Sequence, residues 1–275
     1  MQQLRLFPFK QKESPPRPKR IKVASWNVNS IRARREQFKE WLKRESPDVI
    51  CIQETKIKDE DFPVQDFLSL GYNVVIYGEP GYNGVAILSK FRIEDVVRGF
   101  EDSPDTSARV ISGRILGLKI YSVYAPNAKN LTGDSFKKKV EWYTQFIKHI
   151  KKNDSPDEQL LLCGDFNIVS QDYESFDPKH WLCSTVVDPT SRSIFSELLY
   201  FGLVDIMRVH TRASPLYTWW DYGQGLEIEK GMRLDYFLTS SALANKVITS
   251  KVDRYTRELE KPSDHAPIFC EIELK

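Results

Sequence analysis

The stretch QLLLCGDFN, residues 159–167, joins a continuous apolar run to two polar residues, Asp165 and Asn167. Because polar and apolar residues do not alternate in this run, the pattern predicts a strand that is buried on both faces. Such a strand lies inside a sheet that other layers of the protein cover. The stretch therefore favours an α/β domain.

Short apolar runs of the same kind recur along the chain, and most of them also end in a polar residue. They are IKVASWN (21–27), DVICIQE (48–54), NVVIYG (73–78), GVAILS (84–89), GLKIYSVYAPN (117–127) and LDYFLTS (234–240). Amphipathic segments lie between these runs and predict helices. We therefore expect one α/β domain whose buried strands are flanked by helices.

Two of the predicted helices have a clear apolar stripe. Residues 30–46 place Ile31, Phe38, Trp41 and Leu42 on one face, after a candidate N-cap at Ser30. Residues 134–152 repeat apolar side chains at helical spacing, with lysines at the other positions. That second stripe consists of Phe136, Val140, Tyr143, Ile147 and Ile150.

The composition is that of a globular protein, with 275 residues, 41% hydrophobic residues and 28% charged residues. A net charge of +2 does not by itself indicate a nucleic-acid partner. Three of the four cysteines, Cys51, Cys163 and Cys270, lie in apolar runs without CxxC spacing, which predicts buried thiols rather than a zinc site or disulfides. No apolar run approaches the roughly 18 residues of a membrane span, and the first residues lack signal-peptide features. We therefore expect a soluble, cytoplasmic protein without a membrane segment.

Residues 1–20 differ from the rest of the chain because they are rich in proline and basic residues. This composition predicts a flexible extension, followed by a single domain over residues 21–275. Within the extension, QLRLFPF (3–9) faintly resembles the short peptides that dock on sliding clamps. A disordered tail without such a contact is the alternative.

Polar residues with oxygen donors stand at the ends of the predicted strands, where the chemistry of α/β proteins collects. They are Asn27, Glu54, Tyr124, Asp165, Asn167, Asp235 and Asp264, together with one histidine, His265. A donor set of this kind suits Mg²⁺ or Mn²⁺ better than zinc. Taken singly, each carboxylate is more typical of a turn cap or a surface ion pair than of a functional site. Taken together, they indicate a metal-assisted hydrolase that acts on a phosphate ester.

Eight motifs, in order along the chain, resemble those of the exonuclease III branch of the endonuclease/exonuclease/phosphatase superfamily, the branch that contains abasic-site (AP) endonucleases. They are SWNVNSIRAR (25–34), IQETK (52–56), YNGVAILSK (82–90), YAPN (124–127), GDFN (164–167), TWWDY (218–222), MRLDYFL (232–238) and EKPSDHAPI (260–268). Only the GDxN and SDH elements are common to the wider superfamily. The resemblance covers residues 21–275.

The resemblance implies a DNase I-like fold, a four-layer α/β sandwich of two mixed sheets flanked by helices, with the active site at one edge. It also implies that Mg²⁺, or Mn²⁺ in its place, is bound there. The implied metal-site residues are Asn27, Glu54, Asp165, Asn167, Asp264 and His265.

The resemblance also implies catalytic roles. Asp165 would orient or deprotonate the attacking water, and Asn167 would donate a hydrogen bond to the phosphate. Tyr124 would donate to the phosphate or assist the leaving oxygen. His265 would contact the scissile phosphate while a hydrogen bond from its ring to Asp235, not to the adjacent Asp264, holds the ring in place.

Substrate contacts follow from the same resemblance. Arg32, Arg34 and Arg35 follow the Asn27 motif and Lys129 follows YAPN, so these basic residues are expected to contact DNA phosphates, with Asn127 beside them. Trp219, Met232 and Leu234 would line a pocket for a flipped-out abasic sugar. Some relatives carry tryptophan where this chain has Met232, so the lesion preference stays open.

The function implied is that of a monomeric base-excision repair nuclease. It would cut double-stranded DNA 5′ to abasic sites, leaving a 3′-hydroxyl, and would degrade or trim 3′ ends. Two alternatives stay open: a superfamily enzyme acting on RNA or on a phospholipid or inositol phosphate, and a catalytically silent DNA-binding protein.

Overall fold

The computed structural model describes residues 11–12, 14–177, 179, 181, 184–212, 215–223 and 225–274. Within these residues, most strands belong to two six-stranded sheets. The first sheet has the order β13 (Val247–Val252), β14 (Ile268–Glu273), β1 (Arg20–Asn27), β2 (Val49–Gln53), β4 (Val85–Ser89) and β3 (Asn73–Tyr77). The second has the order β5 (Glu94–Arg98), β6 (Val110–Ile115), β7 (Leu118–Tyr124), β8 (Leu160–Asp165), β12 (Asp235–Ser240) and β9 (Leu203–Asp205). A short ribbon pairs β10 (Trp219–Trp220) with β11 (Gly231–Met232).

Both sheets are mixed. In the first, β1 runs parallel to β2 and antiparallel to β14. In the second, β7 runs parallel to β8, and β12 runs antiparallel to β8. The inner faces of the two sheets pack on each other through one apolar core that includes Cys51, Cys163 and Cys270. The three thiols are buried and unbridged, as their sequence positions predict.

Helices cover the outer faces of the two sheets. Those helices are α1 (Arg35–Glu45), α2 (Val64–Ser69), α3 (Asp134–Asn153) and α4 (Pro189–Tyr200). The short helices α5 (Ile206–His210) and α6 (Ser241–Ala244) instead add their buried side chains to the core between the sheets. Trp41 and Phe67 place α1 and α2 on the first sheet, and Phe146 and Phe195 place α3 and α4 on the second. The predicted four-layer sandwich is confirmed.

Two details of the predicted helices are wrong. Ser30 does not cap α1: it has a φ of +90°, its hydroxyl accepts from the Ala33 N–H in a turn, and the helix begins at Arg35. In α3, Lys139 lies on the buried face, while Phe136 and Val140 are only half-buried. A buried lysine in an apolar layer needs polar partners there, because an unpaired buried charge is strongly unfavourable.

The described part of residues 1–20 contacts the domain. The Gln11 side chain exchanges hydrogen bonds with the backbone of Ile93 at 2.8 and 2.9 Å, and the Lys12 N–H donates to Asn73 Oδ1 at 2.7 Å. The clamp-like segment, residues 3–9, lies outside the described residues. None of the described helices is long and apolar enough to cross a membrane.

Candidate active site

The polar residues that end the predicted strands meet at one edge of the sandwich. Asn27 and Glu54 lie at the carboxyl ends of the parallel strands β1 and β2. Because β14 is antiparallel to β1, His265 precedes it at this same edge. In the second sheet, the register places Asp165 opposite both Tyr124 and Asp235. The sheet topology therefore brings residues from six strands into one site.

The Asn27 side chain joins the two halves of this site. Its amide nitrogen donates to Glu54 Oε1 and to Asp165 Oδ2, both at 2.9 Å. Its amide oxygen accepts from the backbone N–H of Asn29 at 3.0 Å. Asn27 is fully buried, so it fixes the separation between the two carboxylates rather than pointing into solvent.

His265 is held from behind by Asp235. The imidazole Nδ1 lies 2.8 Å from Asp235 Oδ2, and its Nε2 faces Asp165 Oδ2 at 3.6 Å. The Thr218 hydroxyl donates to the same oxygen of Asp235 at 2.6 Å. Because the carboxylate accepts from Nδ1–H, Nε2 is the ring atom that faces the site. Asp235 is therefore the partner of His265, as expected, although Asp264 adjoins it in sequence.

The buried ionisable groups of the site shift one another's pKa values. Burial alone would lower the pKa of His265, but the carboxylates of Asp235 and Asp165 raise it to about 10. Burial raises the pKa of Asp165 to about 7, with His265 acting against the shift and Asp235 and Glu54 adding to it. In the protein without a cation, His265 is thus an imidazolium and Asp165 holds its proton more tightly than an ordinary aspartate.

A tight turn carries Asp165 and Asn167. The Asn167 backbone N–H donates to Asp165 Oδ1 at 2.8 Å, and its side-chain amide donates to the Ala125 carbonyl at 2.9 Å. Asn167 adopts a φ of +48°, a conformation that asparagine tolerates better than most residues. Half-buried Tyr124 lies beside this turn, and burial, followed by the charges of Glu54 and Asp165, raises the pKa of its phenol.

The donor set fits a hard divalent cation. Ligand atoms of Glu54, Asp165 and His265 lie within 4.8 Å of one another. Two carboxylates supply hard oxygen ligands, and His265 presents its Nε2 atom to the same group. Asp264 lies one step further out, since its oxygens accept from Asn29 Nδ2 at 3.0 Å and Trp219 Nε1 at 3.1 Å.

An apolar cluster adjoins the polar site. Trp219 pairs with Met232 across the β10–β11 ribbon and forms a bridge with His265. Trp219 packs with Met232 and Leu234, and Val186 and Val187 of a neighbouring loop complete the cluster. The three predicted pocket residues are therefore brought together beside the histidine. Trp220, by contrast, is fully buried in the core.

The side chains predicted to contact DNA differ in whether other residues of the protein already bind them. Arg32, Asn127 and Lys129 are exposed, and among the described residues neither basic side chain has an ion-pair partner. Arg35, in contrast, is paired with Asp66 at 2.6 Å. The Arg34 guanidinium is tied to the Pro262 carbonyl at 3.0 Å and to the Tyr222 hydroxyl at 3.1 Å. Of the three neighbouring arginines, Arg32 alone is free to meet a phosphate.

Residue-level reasoning did not single out two members of the site. Lys56 pairs with Glu54 at 2.7 Å, and the Asn29 side chain joins Lys56 to Asp264. Asn29, Glu54 and Lys56 all have positive φ values, which concentrates unusual backbone at this edge. The signal was present in sequence, because both residues belong to motifs that carried the resemblance.

The comparisons with known proteins agree with this geometry. A model of the "Endonuclease/Exonuclease/phosphatase family" matches residues 24–265. The chain belongs to this family. It is 32% identical over 267 residues to exodeoxyribonuclease III of Haemophilus influenzae, covering 91% of this chain and 99% of that protein.

Solved structures of family members extend the match to the fold. A Neisseria 3′ phosphatase, NExo, bound to a product DNA hairpin superposes with a TM-score of 0.88 at 34% identity, covering 92% of this chain and 99% of that one. An AP endonuclease from Archaeoglobus fulgidus gives 0.88 at 32% identity, covering 91% and 98%. The expected resemblance to the exonuclease III branch, and with it the expectation of a nuclease, is confirmed at the level of the family.

Proposed function

We propose that this family member is a DNA repair nuclease that hydrolyses the phosphodiester 5′ to an abasic site in double-stranded DNA, leaving a 3′-hydroxyl, and that also removes nucleotides from 3′ ends. The observation that carries the proposal is that the site of carboxylates and one imidazole adjoins an apolar cluster, the two meeting at Trp219 and His265. We propose that this cluster forms the wall of a lesion pocket. A compact apolar pocket accepts a sugar without a base and excludes an intact nucleoside.

The side chains supply the parts that phosphodiester hydrolysis needs. Asp165 orients the attacking water and accepts its proton, while the His265 imidazolium and the Asn167 amide donate to the phosphate oxygens. Tyr124 stands at the same edge to donate to the phosphate or to the leaving 3′ oxygen. Asp235 keeps His265 protonated and correctly turned.

We propose Mg²⁺ as the cofactor, with Mn²⁺ able to replace it. Glu54 and Asp165 are proposed as the inner oxygen ligands, and Asp264 and Asn167 are proposed to complete the site. Asn27 presents its amide nitrogen to the carboxylates, so its part is to hold them. His265 serves the phosphate while protonated. When bound, the cation neutralises negative charge and polarises the phosphate oxygens.

DNA reaches this site over exposed surface. Arg32 and Lys129 are proposed to contact phosphates, with Asn127 beside them, and Trp219, Met232 and Leu234 to line the lesion pocket.

We further propose a cytoplasmic monomer whose catalytic domain is residues 21–275, with residues 1–20 as an extension and residues 3–9 as a clamp-docking segment. Light scattering of the full chain, and binding to a sliding clamp with and without residues 1–10, test these points.

The function is tested with two DNA substrates assayed in parallel: a duplex with one abasic site, and a matched intact duplex with a recessed 3′ end. We expect cleavage 5′ to the lesion and 3′ degradation with Mg²⁺ or Mn²⁺, and neither with a chelator. Asp165→Asn should lower the rate by more than about 10³-fold while the protein stays folded, since it removes the base but keeps the side-chain size.

Other substrates separate the alternatives. RNA tails and inositol phosphates should be poor substrates, because neither offers a base-free sugar opposite Trp219. A protein that bound abasic DNA tightly but failed to cut it with metal present would instead be a silent relative, and the proposed function would be wrong.

A further inference from the structure

Lys139 is a buried lysine that the proposed chemistry does not use. It lies in the second turn of α3 and is 1% exposed. Its ammonium donates to the carbonyl oxygen of Asn167 at 2.8 Å and to that of Thr185 at 3.2 Å. Fully buried lysines are rare because desolvation of the charge is costly. An apolar residue would satisfy the helix pattern at this position, so the two acceptors are the feature to explain.

The first acceptor belongs to the catalytic turn. The Asn167 N–H donates to Asp165 and its side-chain amide donates to the Ala125 carbonyl, so residues of the site hold one side of Asn167. Its carbonyl points the other way, into the layer under α3, where Lys139 holds it. With a φ of +48°, this residue depends on such contacts to keep its conformation.

The second acceptor belongs to the loop behind the pocket. The Thr185 carbonyl also accepts from the Ser191 hydroxyl at 2.7 Å, and the Thr185 hydroxyl donates to the Ala128 carbonyl at 2.8 Å. The next two residues, Val186 and Val187, pack with Met232 and Leu234 in the pocket wall. A movement of the Thr185 carbonyl therefore moves this wall.

We infer that Lys139 is a positioning residue that fixes the catalytic turn relative to the pocket wall, and so sets both the rate of cleavage and the preference for a base-free sugar. One ammonium spans the two segments, which are 18 positions apart in sequence and share the backbone contact between Val169 and Val186 at 2.7 Å. The inference rests on the proposed function, since it assigns the polar half of the site to chemistry and the apolar half to lesion recognition.

The test is a pair of variants assayed on abasic duplex and on a recessed 3′ end. Lys139→Met keeps the length of the side chain and removes both donors. We expect it to fold, because apolar replacements of buried charges are commonly tolerated. We expect kcat on abasic DNA to fall about 10- to 100-fold with little change in KM, as displacement of a catalytic group does. The ratio of abasic to 3′-end cleavage should also fall, because a loosened wall admits a nucleotide with its base.

Ser191→Ala separates the two halves of the inference. It removes one of the two donors to the Thr185 carbonyl and leaves the Asn167 carbonyl untouched. We expect the abasic to 3′-end ratio to fall, with a smaller loss of kcat than in Lys139→Met. Ile150→Ala, which opens the same buried face of α3 further along the helix, is the control for general loosening and should alter neither quantity.

The outcomes are distinguishable. A wild-type protein that does not cut abasic DNA overturns the proposed function. With an active wild type, the inference is overturned if Lys139→Met keeps its kcat, fails to fold, or changes kcat and the cleavage ratio no more than Ile150→Ala does. An unchanged ratio in Ser191→Ala overturns the link to the pocket wall.

Discussion

At the scale of single residues, the site depends on which polar group faces which. His265 is an imidazolium because Asp235 and Asp165 lie against it, although burial acts in the opposite direction. In the protein without a cation, burial and the charges of Asp235 and Glu54 raise the pKa of Asp165, so its carboxyl group keeps its proton to a higher pH than an ordinary aspartate does. A divalent cation beside Glu54 and Asp165 favours the ionised carboxylate, the form that can accept a proton from water.

The first residue-scale prediction concerns the ionisation of His265. In the chelated wild type, the ring should stay protonated well above neutral pH, consistent with a pKa of about 10. Asp235→Asn removes the strongest charge that raises this pKa and leaves the burial that lowers it. The pKa should therefore fall toward the ordinary value of about 6.5.

The measurement is NMR of ¹⁵N-labelled histidine, which is readable because the chain has only four histidines. His265→Ala identifies the resonance. An unchanged titration in Asp235→Asn would mean that Asp235 does not set the charge of the ring.

At the scale of elements, strand register brings the site together. The parallel pairs β1–β2 and β7–β8 each place two polar residues at one edge, and β12 adds Asp235 directly opposite Asp165. Gly164 permits the close approach of β7 and β8 immediately before Asp165. It has a φ of +142°, and a Cβ at this position would stand 2.0 Å from the carbonyl oxygen of Val123.

The element-scale prediction follows from that contact. Gly164→Ala should lower the free energy of unfolding by more than about 3 kcal/mol, because backbone strain and a backbone clash add. The control is Gly71→Ala, which also has a positive φ, of +93°, but meets nothing within 4 Å. Strain alone should cost that variant about 1 kcal/mol. Urea unfolding of both variants measures the difference, and equal losses would show that the β7–β8 approach is not tight.

Helix patterns were predictable in outline and less so in detail. The stripe of α1 was predicted correctly at Phe38, Trp41 and Leu42, which are all buried. The start of that helix was not, because residues 31–34 form a turn that serves the site instead. The buried face of α3 includes Lys139, which periodicity places among the solvated lysines. Periodicity reflects only the hydrophobicity of neighbouring residues. It cannot reveal that two backbone carbonyls from other parts of the chain accept hydrogen bonds from Lys139.

At the scale of the whole molecule, the positions of the basic residues matter more than the net charge. The net charge is +2, yet exposed basic residues stand beside the site at Arg32 and Lys129. DNA affinity should therefore come from local phosphate contacts, and it should fall as salt rises because those contacts release counterions.

The whole-molecule prediction is a salt titration of binding to abasic duplex with the chelated protein. Arg32→Ala and Lys129→Ala should each reduce the slope of log Kobs against log salt by about one. Lys43→Ala is the matched control, since this exposed lysine lies in the last turn of α1, at the far end of the helix from the Asn27 loop. A slope that Arg32→Ala leaves at the wild-type value would remove Arg32 from the DNA surface.

The sequence by itself determined the buried strands, the layered α/β architecture and the residue types of the site, because runs of apolar residues and their polar ends are local properties of the chain. It also determined the family, through motifs spread from residue 25 to residue 268. Only the tertiary structure decided which residues meet. It left Arg32 without an ion-pair partner among the described residues while it occupied Arg34 and Arg35, and it buried Lys139. These contacts depend on strand register and on loops that come from distant parts of the chain, and no local pattern of residues determines which distant residues meet.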